Sequence, residues 1–236
     1  MTAVNQHSQE GRLYIVSTPI GNLEDIALRA LRILKEADLV FAEDTRITRR
    51  LLKHYEIQNE MLSYHSYNES GRIPQIINFL KEGRNIALVS DAGTPGISDP
   101  AHKLVKAVIE AQIPIEPVPG ATACITALIA SGLPTNRFVF EGFLPKKKGR
   151  QTKLKFLSNE PGTIILYESA HRIHKTIEDI VKYLGNRYIV ISRELTKKFE
   201  EFIRGYAEDL QKELKNRTLK GEIVLLIAGN DFKPIE

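Results

Sequence analysis

Three short polar loops hold most of the residues able to do chemistry near the start of this chain. They read "STPIGN" (Ser17 to Asn22), "EDTR" (Glu43 to Arg46) and "SDAGTPGISDP" (Ser90 to Pro100). Each directly follows an apolar, β-prone run: "RLYIVS", "LVFA" and "IALVS". Glycine lets a backbone approach a ligand closely, and proline fixes φ so that a loop costs less to order. Asp91, just after its strand, is placed to accept hydrogen bonds from a ribose diol. The backbone amides of Ala92, Gly93 and Thr94 are placed to face an adenosine or a carboxylate. A plainer reading stands beside this one: a pair of β-turns whose aspartates cap the next helix, with Asp99 before Pro100 suited to that role.

Other site chemistries are excluded by what is missing. No G-x-G-x-x-G opens the first helix, and there is no Walker A sequence, so a dinucleotide or P-loop site is not expected. The nucleophile elbow G-x-S-x-G of a Ser-His-Asp hydrolase is absent. Among the histidines at positions 7, 54, 65, 102, 171 and 174 only His171 and His174 form a close pair, without a cysteine partner. No metal is expected.

The elements that must position these loops alternate. After the strand at Arg12 to Ser17, a helix is expected over "LEDIALRALRILKEA", with Asn22 as its cap and Leu23, Ile26, Ala27, Ala30, Leu31 and Leu34 on one face. The strand "LVFA" runs into a second helix. A third helix from about Glu69 to Lys81 precedes the strand Ile86 to Ser90, and a fourth, from about Ala101 to Ala111, precedes "IEPV". Such alternation implies parallel pairing and right-handed crossovers. Ligands in such sheets sit beyond the carboxyl ends of the strands, where all three loops fall. From "PVPGATACITALIASGLP" the texture changes to a weak Ala-rich helix. The runs "RFVFEGF", "GTIILYES", "RYIVISREL", "EEFIRG" and "GEIVLLIAG" then point to a mixed sheet with antiparallel pairs. The expected organisation is a flexible segment over residues 1–10, an α/β domain over 11–118 and a mixed α/β domain over 119–236.

At 236 residues the chain suits one large or two small domains, and 42% hydrophobic with 26% charged residues excludes a disordered class. A net charge of +4 leans mildly toward acidic partners. One cysteine, Cys124, cannot form an intrachain disulfide, which fits a reducing compartment. No apolar run approaches the roughly 20 residues of a membrane span, and "MTAVNQHSQE" lacks the apolar core of a signal peptide. A cytoplasmic location without membrane association is expected. From Phe143 to Lys155, "FLPKKKGRQTKLK" carries six basic residues and no acidic one, and "RITRR" adds three arginines. Such segments bind phosphate; a solubilising loop is the plainer alternative.

Six blocks occur in one order along the chain: "VSTPIGNLEDIALRALRIL", "AEDTRITRRLL", "LVSDAGTPGISDPA", "PVPGATACITAL", "YESAHRI" and "RELTKKFEEFIRG". Together, over about residues 11 to 230, they resemble the ribosomal RNA small subunit methyltransferase I family, 2′-O-ribose methyltransferases of the tetrapyrrole methylase superfamily. The resemblance implies two α/β domains, tetrapyrrole methylase-like, with S-adenosylmethionine in a cleft between them, and a homodimer. It also implies the substrate, a cytidine ribose of 16S rRNA in the small ribosomal subunit. Relatives that methylate corrinoids carry "GPGDP"-like loops where this chain has "TPIGN" and "SDAGTPGISDP", which favours the RNA branch. Many members continue into a small C-terminal helical extension; this sequence ends at "GNDFKPIE". Two other readings remain: C-methylation of a tetrapyrrole or corrinoid, and a ribosome assembly factor that binds the small subunit.

Carried over residue by residue, the resemblance places Pro19 and Gly21 beside the cofactor and Asp91, Ala92, Gly93 and Thr94 beneath it. It has Ala121 and Thr122 close over the cofactor, Tyr167 form an apolar wall, and Gly221 and Glu222 form a far edge. A ribose 2′-hydroxyl is a poor nucleophile at neutral pH, so a base or a charge near the forming alkoxide helps. The candidates are Glu43, Asp44, Glu168, His171, Glu194, Lys197 and Glu201, with no one of them singled out. Arg46, Arg172 and Arg193 are candidates for phosphate contacts, with Lys146, Lys147, Lys148 and Arg150 in the basic loop.

Overall fold

The computed structural model describes residues 11–233; the segment 1–10, expected to be flexible, lies outside the described residues. The chain divides into two compact units, one ending at Thr122 and the other beginning at Ala123. That division falls four residues beyond the 118/119 boundary expected from the proline–glycine punctuation, because the turn "PGAT" stays with the first unit.

The first unit is built on strands β1 (Leu13–Val16), β2 (Leu39–Ala42), β3 (Met61–Ser63), β4 (Ile86–Val89) and β5 (Ile115–Val118). They form one all-parallel sheet in the order β3-β2-β4-β1-β5. Every residue of β2 and β4 is buried, as a parallel sheet covered on both faces requires. Helices α1 (Leu28–Glu36) and α2 (Thr45–His54) pack through Ala30, Ile33, Leu34 and Leu52 onto the face carrying Val16, Val40, Ala42, Ala87 and Val89. Helices α3 (Glu69–Lys81) and α4 (His102–Glu110) pack through Ile76, Leu80, Leu104 and Val108 onto the opposite face, against Leu13, Leu39, Phe41, Ile86 and Leu88. The alternation of side chains along each strand sorts the two sets.

The first helix differs from the expectation. Asn22 does cap, accepting from the Glu24 amide, but what it caps is a short 3-10 turn, Leu23–Asp25. Ile26 and Ala27 are extended, so the α-helix starts only at Leu28, whose side chain is 85% exposed. Strand β3 is too short and too weakly patterned to have been anticipated.

The second unit opens with the short helix α5 (Ala123–Ile129) and builds a mixed sheet from β6 (Phe138–Phe143), β7 (Thr163–Ser169), β8 (Tyr188–Arg193), β9 (Glu201–Tyr206) and β10 (Glu222–Ile227), in the order β6-β7-β10-β8-β9. Only β6 and β7 run parallel; the other neighbours are antiparallel. Helices α6 (Arg150–Leu157), α7 (Ile173–Leu184) and α8 (Ala207–Glu213) cover one face through Leu154, Leu157, Ile177, Ile180 and Leu210. The register, with Glu222 opposite Ser169, Ile223 opposite Arg193 and Arg193 opposite Glu201, brings the ends of β7 and β8 and the starts of β9 and β10 to one sheet edge. Phe143 pairs with Tyr167, so β6 ends at that edge as well.

Candidate active site

In the first unit, β4 lies between β2 and β1, and its chain leaves toward α4 on one face while β1 and β2 leave toward α1 and α2 on the other. Connections diverging from neighbouring strands open a crevice at their carboxyl ends, where open α/β sheets bind ligands. All three loops singled out by the sequence meet there.

They are bonded to one another. Thr18 and Gly93 exchange backbone hydrogen bonds of 2.8 and 3.1 Å, an isolated antiparallel bridge joining the β1 and β4 loops. Gly93 holds φ +84°, and a Cβ there would sit 3.3 Å from Ile20, so glycine answers both needs. The amide of Asp44 donates to Asp91 Oδ1 at 2.8 Å, joining the β2 and β4 loops. The Thr94 hydroxyl lies 2.9 Å from Ser17 Oγ, 2.7 Å from Thr122 Oγ1 and 3.2 Å from the Ala121 carbonyl, which draws in the turn after β5. Gly120 allows that approach, since a Cβ on it would meet Ser17 Cβ at 2.8 Å. Ala92 and Gly21 are exposed, while Pro19 is buried with Ile20 beneath the loop.

The crevice is acidic. Glu43, Asp91 and Asp99 are each half-buried. Burial, then the neighbouring Asp91, pushes the Glu43 carboxyl up. Burial also raises Asp91, against the hydrogen bond from the Asp44 amide. Burial and Glu43 together lift Asp99 to about 6. The plainer reading of the loop made Asp99 the cap of α4; instead Ala101 precedes that helix with no side-chain cap, and Asp99 interacts with Ser90, Glu43 and Asp91. Its part in this cluster was missed because spacing offered no role for Asp99 other than the cap. His65, within electrostatic reach of Glu43, was missed as well. Asp44 has another task. It caps α2, accepting from the Arg46 amide at 2.8 Å, and the Arg46 side chain holds its carboxyl down at about 2. A carboxyl that acidic makes a poor base. Arg46 itself is 83% exposed.

The candidates of the second unit gather at its described edge, most of them in internal bonds. Glu168 is 3% exposed and accepts from Thr176 Oγ1 at 2.6 Å and from the Ser169 amide at 2.9 Å, with Arg172 at 3.4 Å. It is a buried acceptor, not a base open to substrate. Arg172 also donates to the Leu144 carbonyl at 2.8 Å. Arg150 is corrected outright: it is 8% exposed and donates to Asp179 at 2.8 Å and to Thr176 at 2.8 Å, so it does not join Lys146, Lys147 and Lys148, which are exposed. The aliphatic spacing of α6 turns its first residue inward onto α7. Arg193, 14% exposed at its side chain, is held by the Lys220 and Phe199 carbonyls and by Glu201.

Lys197 bridges Glu194 at 3.2 Å and Glu222 at 2.7 Å. Burial would raise Glu194, but the Glu222 amide and Lys197 outweigh it and hold the carboxyl low. Burial likewise opposes the Lys197 charge, yet the two glutamates keep its pKa raised. Both groups therefore stay charged at neutral pH, unsuited to taking up a proton. Gly221, at φ +89°, leaves room for Glu194, since a Cβ there would meet Oε1 at a forbidden distance. His171 is exposed. The Tyr167 oxygen accepts from the Cys124 amide at 3.2 Å, and its ring packs edge-on to Phe140 and Phe143 at centroid distances of 5.0 and 5.8 Å. Among the described residues no three His, Cys, Asp or Glu side chains form a group able to hold a metal ion.

Residues 12–211 match the family model of the tetrapyrrole (corrin/porphyrin) methylases. Over 229 residues, 97% of this chain and 79% of the relative, the sequence is 50% identical to a ribosomal RNA small subunit methyltransferase I of Halalkalibacterium halodurans. The chain belongs to this family. A second member, from Synechocystis, is 52% identical over 93% of the chain and 79% of its own length. Solved tetrapyrrole methylases share the fold at low identity. The methyltransferase CobJ matches with a TM-score of 0.71 at 18% identity, covering 96% of this chain and 97% of its own. A uroporphyrin-III C-methyltransferase from Thermus thermophilus matches with a TM-score of 0.61 at 20% identity, covering 93% of each. Within the tetrapyrrole methylases the chain is thus a ribosomal RNA small subunit methyltransferase by relationship, and the expected two-unit α/β fold, one sheet parallel and one mixed, is present.

Proposed function

We propose that this chain transfers a methyl group from S-adenosylmethionine to the 2′-hydroxyl of a cytidine ribose in the 16S rRNA of the small ribosomal subunit. The observation that carries this reading is identity of about 50% to small subunit rRNA methyltransferases over nearly the whole chain.

The residues of the β4 crevice fit the cofactor. Half-buried carboxylates pressed together with raised pKa values are relieved by a cation. Gly93 and Gly120 leave the backbone bare where loops crowd. When bound, S-adenosylmethionine supplies an electrophilic methyl on a positively charged sulfur. Asp91 and the amide of Ala92 hold its polar groups, and the Thr18–Gly93 bridge, which uses the Gly93 amide, fixes the loop that carries them. Alignment accounts for most of the acceleration of a displacement of this kind. Glu43 is the candidate to accept the ribose proton, because it is half-buried and its pKa is raised toward neutrality. Lys146, Lys147, Lys148 and Arg46 are exposed to meet phosphates. The enzyme acts as a cytoplasmic homodimer; no described helix is long and apolar enough to cross a membrane.

The test is transfer of labelled methyl from S-adenosylmethionine to unmethylated small subunits, to their extracted RNA and to a corrinoid precursor, with product nucleosides resolved by mass. Label on a cytidine ribose is the expected result. Label on the corrinoid would replace this reading with C-methylation, and tight subunit binding without any transfer would replace it with an assembly factor.

A further inference from the structure

The loop joining β8 to β9, Glu194 to Glu200, is built at a cost and held with care. Glu194 and Thr196 adopt φ +50° and +64°, the left-handed region that side chains disfavour. Persistence of such backbone requires surroundings that over-determine it. Here they do: the Thr196 amide donates to Glu200 at 2.6 Å, Arg193 donates to the Phe199 carbonyl at 3.1 Å, and Lys197 binds Glu194 and Glu222. What this framework leaves in solvent is a pair, Lys198 and Phe199. The phenyl ring is 65% exposed, with the Lys198 ammonium 5.7 Å from its centroid.

The same edge of the second unit carries a second exposed ring, Phe143, 57% exposed, at the end of β6 and just before Lys146, Lys147 and Lys148. Strands β6 and β8 lie three places apart in the sheet, or about 14 Å at the usual strand spacing. Three of the carboxylates there are paired with cations, Glu194 and Glu222 with Lys197 and Glu201 with Arg193 and Arg217, while Glu200 accepts from the Thr196 amide. Lys146, Lys147, Lys148 and Lys198 have no carboxylate partner among the described residues. The edge thus offers rigidly presented aromatic faces among unneutralised cations. Unstacked bases beside a phosphate backbone complement that combination, since every base has a π-face and selective RNA recognition targets unstacked segments.

We propose that Phe199 is a base-stacking residue that, with Lys198 beside it, receives an unstacked nucleotide of the RNA substrate. This rests on the rRNA reading above and adds to it a second, non-electrostatic point of contact.

The experiment measures binding of the full chain to unmethylated small subunits and to their naked RNA across a salt series, with S-adenosylmethionine affinity and the thermal midpoint recorded alongside. Phe199→Ala is expected to weaken binding to both by about tenfold at every salt concentration, with salt slope, cofactor affinity and midpoint unchanged. Phe199→Tyr, which keeps the ring, should bind as wild type. Wild-type affinity in Phe199→Ala would overturn the proposal. So would a loss seen with subunits but not with naked RNA, which would assign the ring to a ribosomal protein. Failure of the wild-type chain to bind subunits or RNA at all would instead remove the underlying reading, and this inference with it.

Discussion

Arg150 separates two accounts of the basic loop. In the sequence it closes the run "KKKGR"; in the structure it is an inner link of a polar chain running Asp179, Arg150, Thr176, Glu168, Arg172. Both members of its ion pair are about 10% exposed, at 10% and 9% for their side chains. Arg150→Ala would leave Asp179 with Lys175, 3.3 Å away on a side chain 67% exposed, as its remaining cation. It would also strip Thr176 of its donor. Removing one partner of a buried pair costs about 3–5 kcal/mol, and the Lys175 contact places this case near the lower figure. At about 2–4 °C per kcal/mol for a chain of this size, the midpoint should fall by roughly 6–12 °C. Calorimetry and subunit binding, both on the same preparation, decide the matter, with binding measured well below the lowered midpoint. Stability should drop while RNA affinity stays at the wild-type value. An unchanged midpoint with weakened RNA binding would refute the argument and return Arg150 to the RNA-binding set.

The remaining expectations concern the crevice and the exposed lysines. Asp91→Ala should weaken S-adenosylmethionine binding by roughly tenfold or more, as expected for loss of a charged acceptor; isothermal titration showing wild-type affinity would overturn the placement. Asp99, raised to about 6 in the folded chain, favours its protonated form there. Its contribution to stability is therefore greatest below the unfolded carboxyl value and is eroded as pH rises through about 6. The cofactor-free midpoint should decline over that interval, and cofactor affinity should rise over it because a cation favours the ionised carboxylates. Titrations at pH 5 and pH 7 check both signs. Replacing Lys146, Lys147 and Lys148 with serine should reduce the salt slope of RNA binding by about 2 for a single strand, with cofactor affinity intact; an unchanged slope would make the loop merely solubilising.

Much of the first unit was legible because β2 and β4 are short, wholly apolar and followed by loops of fixed chemistry. The runs around Leu39–Ala42 and Ile86–Val89 can be little else than buried parallel strands. Their loops "EDTR" and "SDAGTPGISDP" fall at one edge as a matter of topology. Runs of β-branched and aromatic residues likewise marked all five strands of the second unit. The start of α1 was not legible, since Ile26 and Ala27 keep helical spacing while their backbone is extended. Roles within the site were harder still, because a carboxylate's function depends on partners far away in sequence. Asp44 is taken up in capping its own helix and in holding Arg46, and Glu168 is consumed by Thr176. Asp99 leaves its adjacent helix uncapped and lies by Glu43, in the loop after β2. Spacing can nominate such groups, but burial and hydrogen bonding distribute the work among them.

The strand order of the first unit also bears on how the chain is made. Strand β1 is the first to leave the ribosome, yet its partners are β4 and β5, the nearer of which begins some 70 residues later. At about 5–20 residues per second, it waits several seconds with its backbone unpaired. Only β2 and β3 can pair beforehand. The crevice that joins β1 and β4 is consequently among the last features of this unit to form during synthesis, and a nascent chain halted before Ile86 would carry "STPIGN" and "EDTR" with nothing to bind between them.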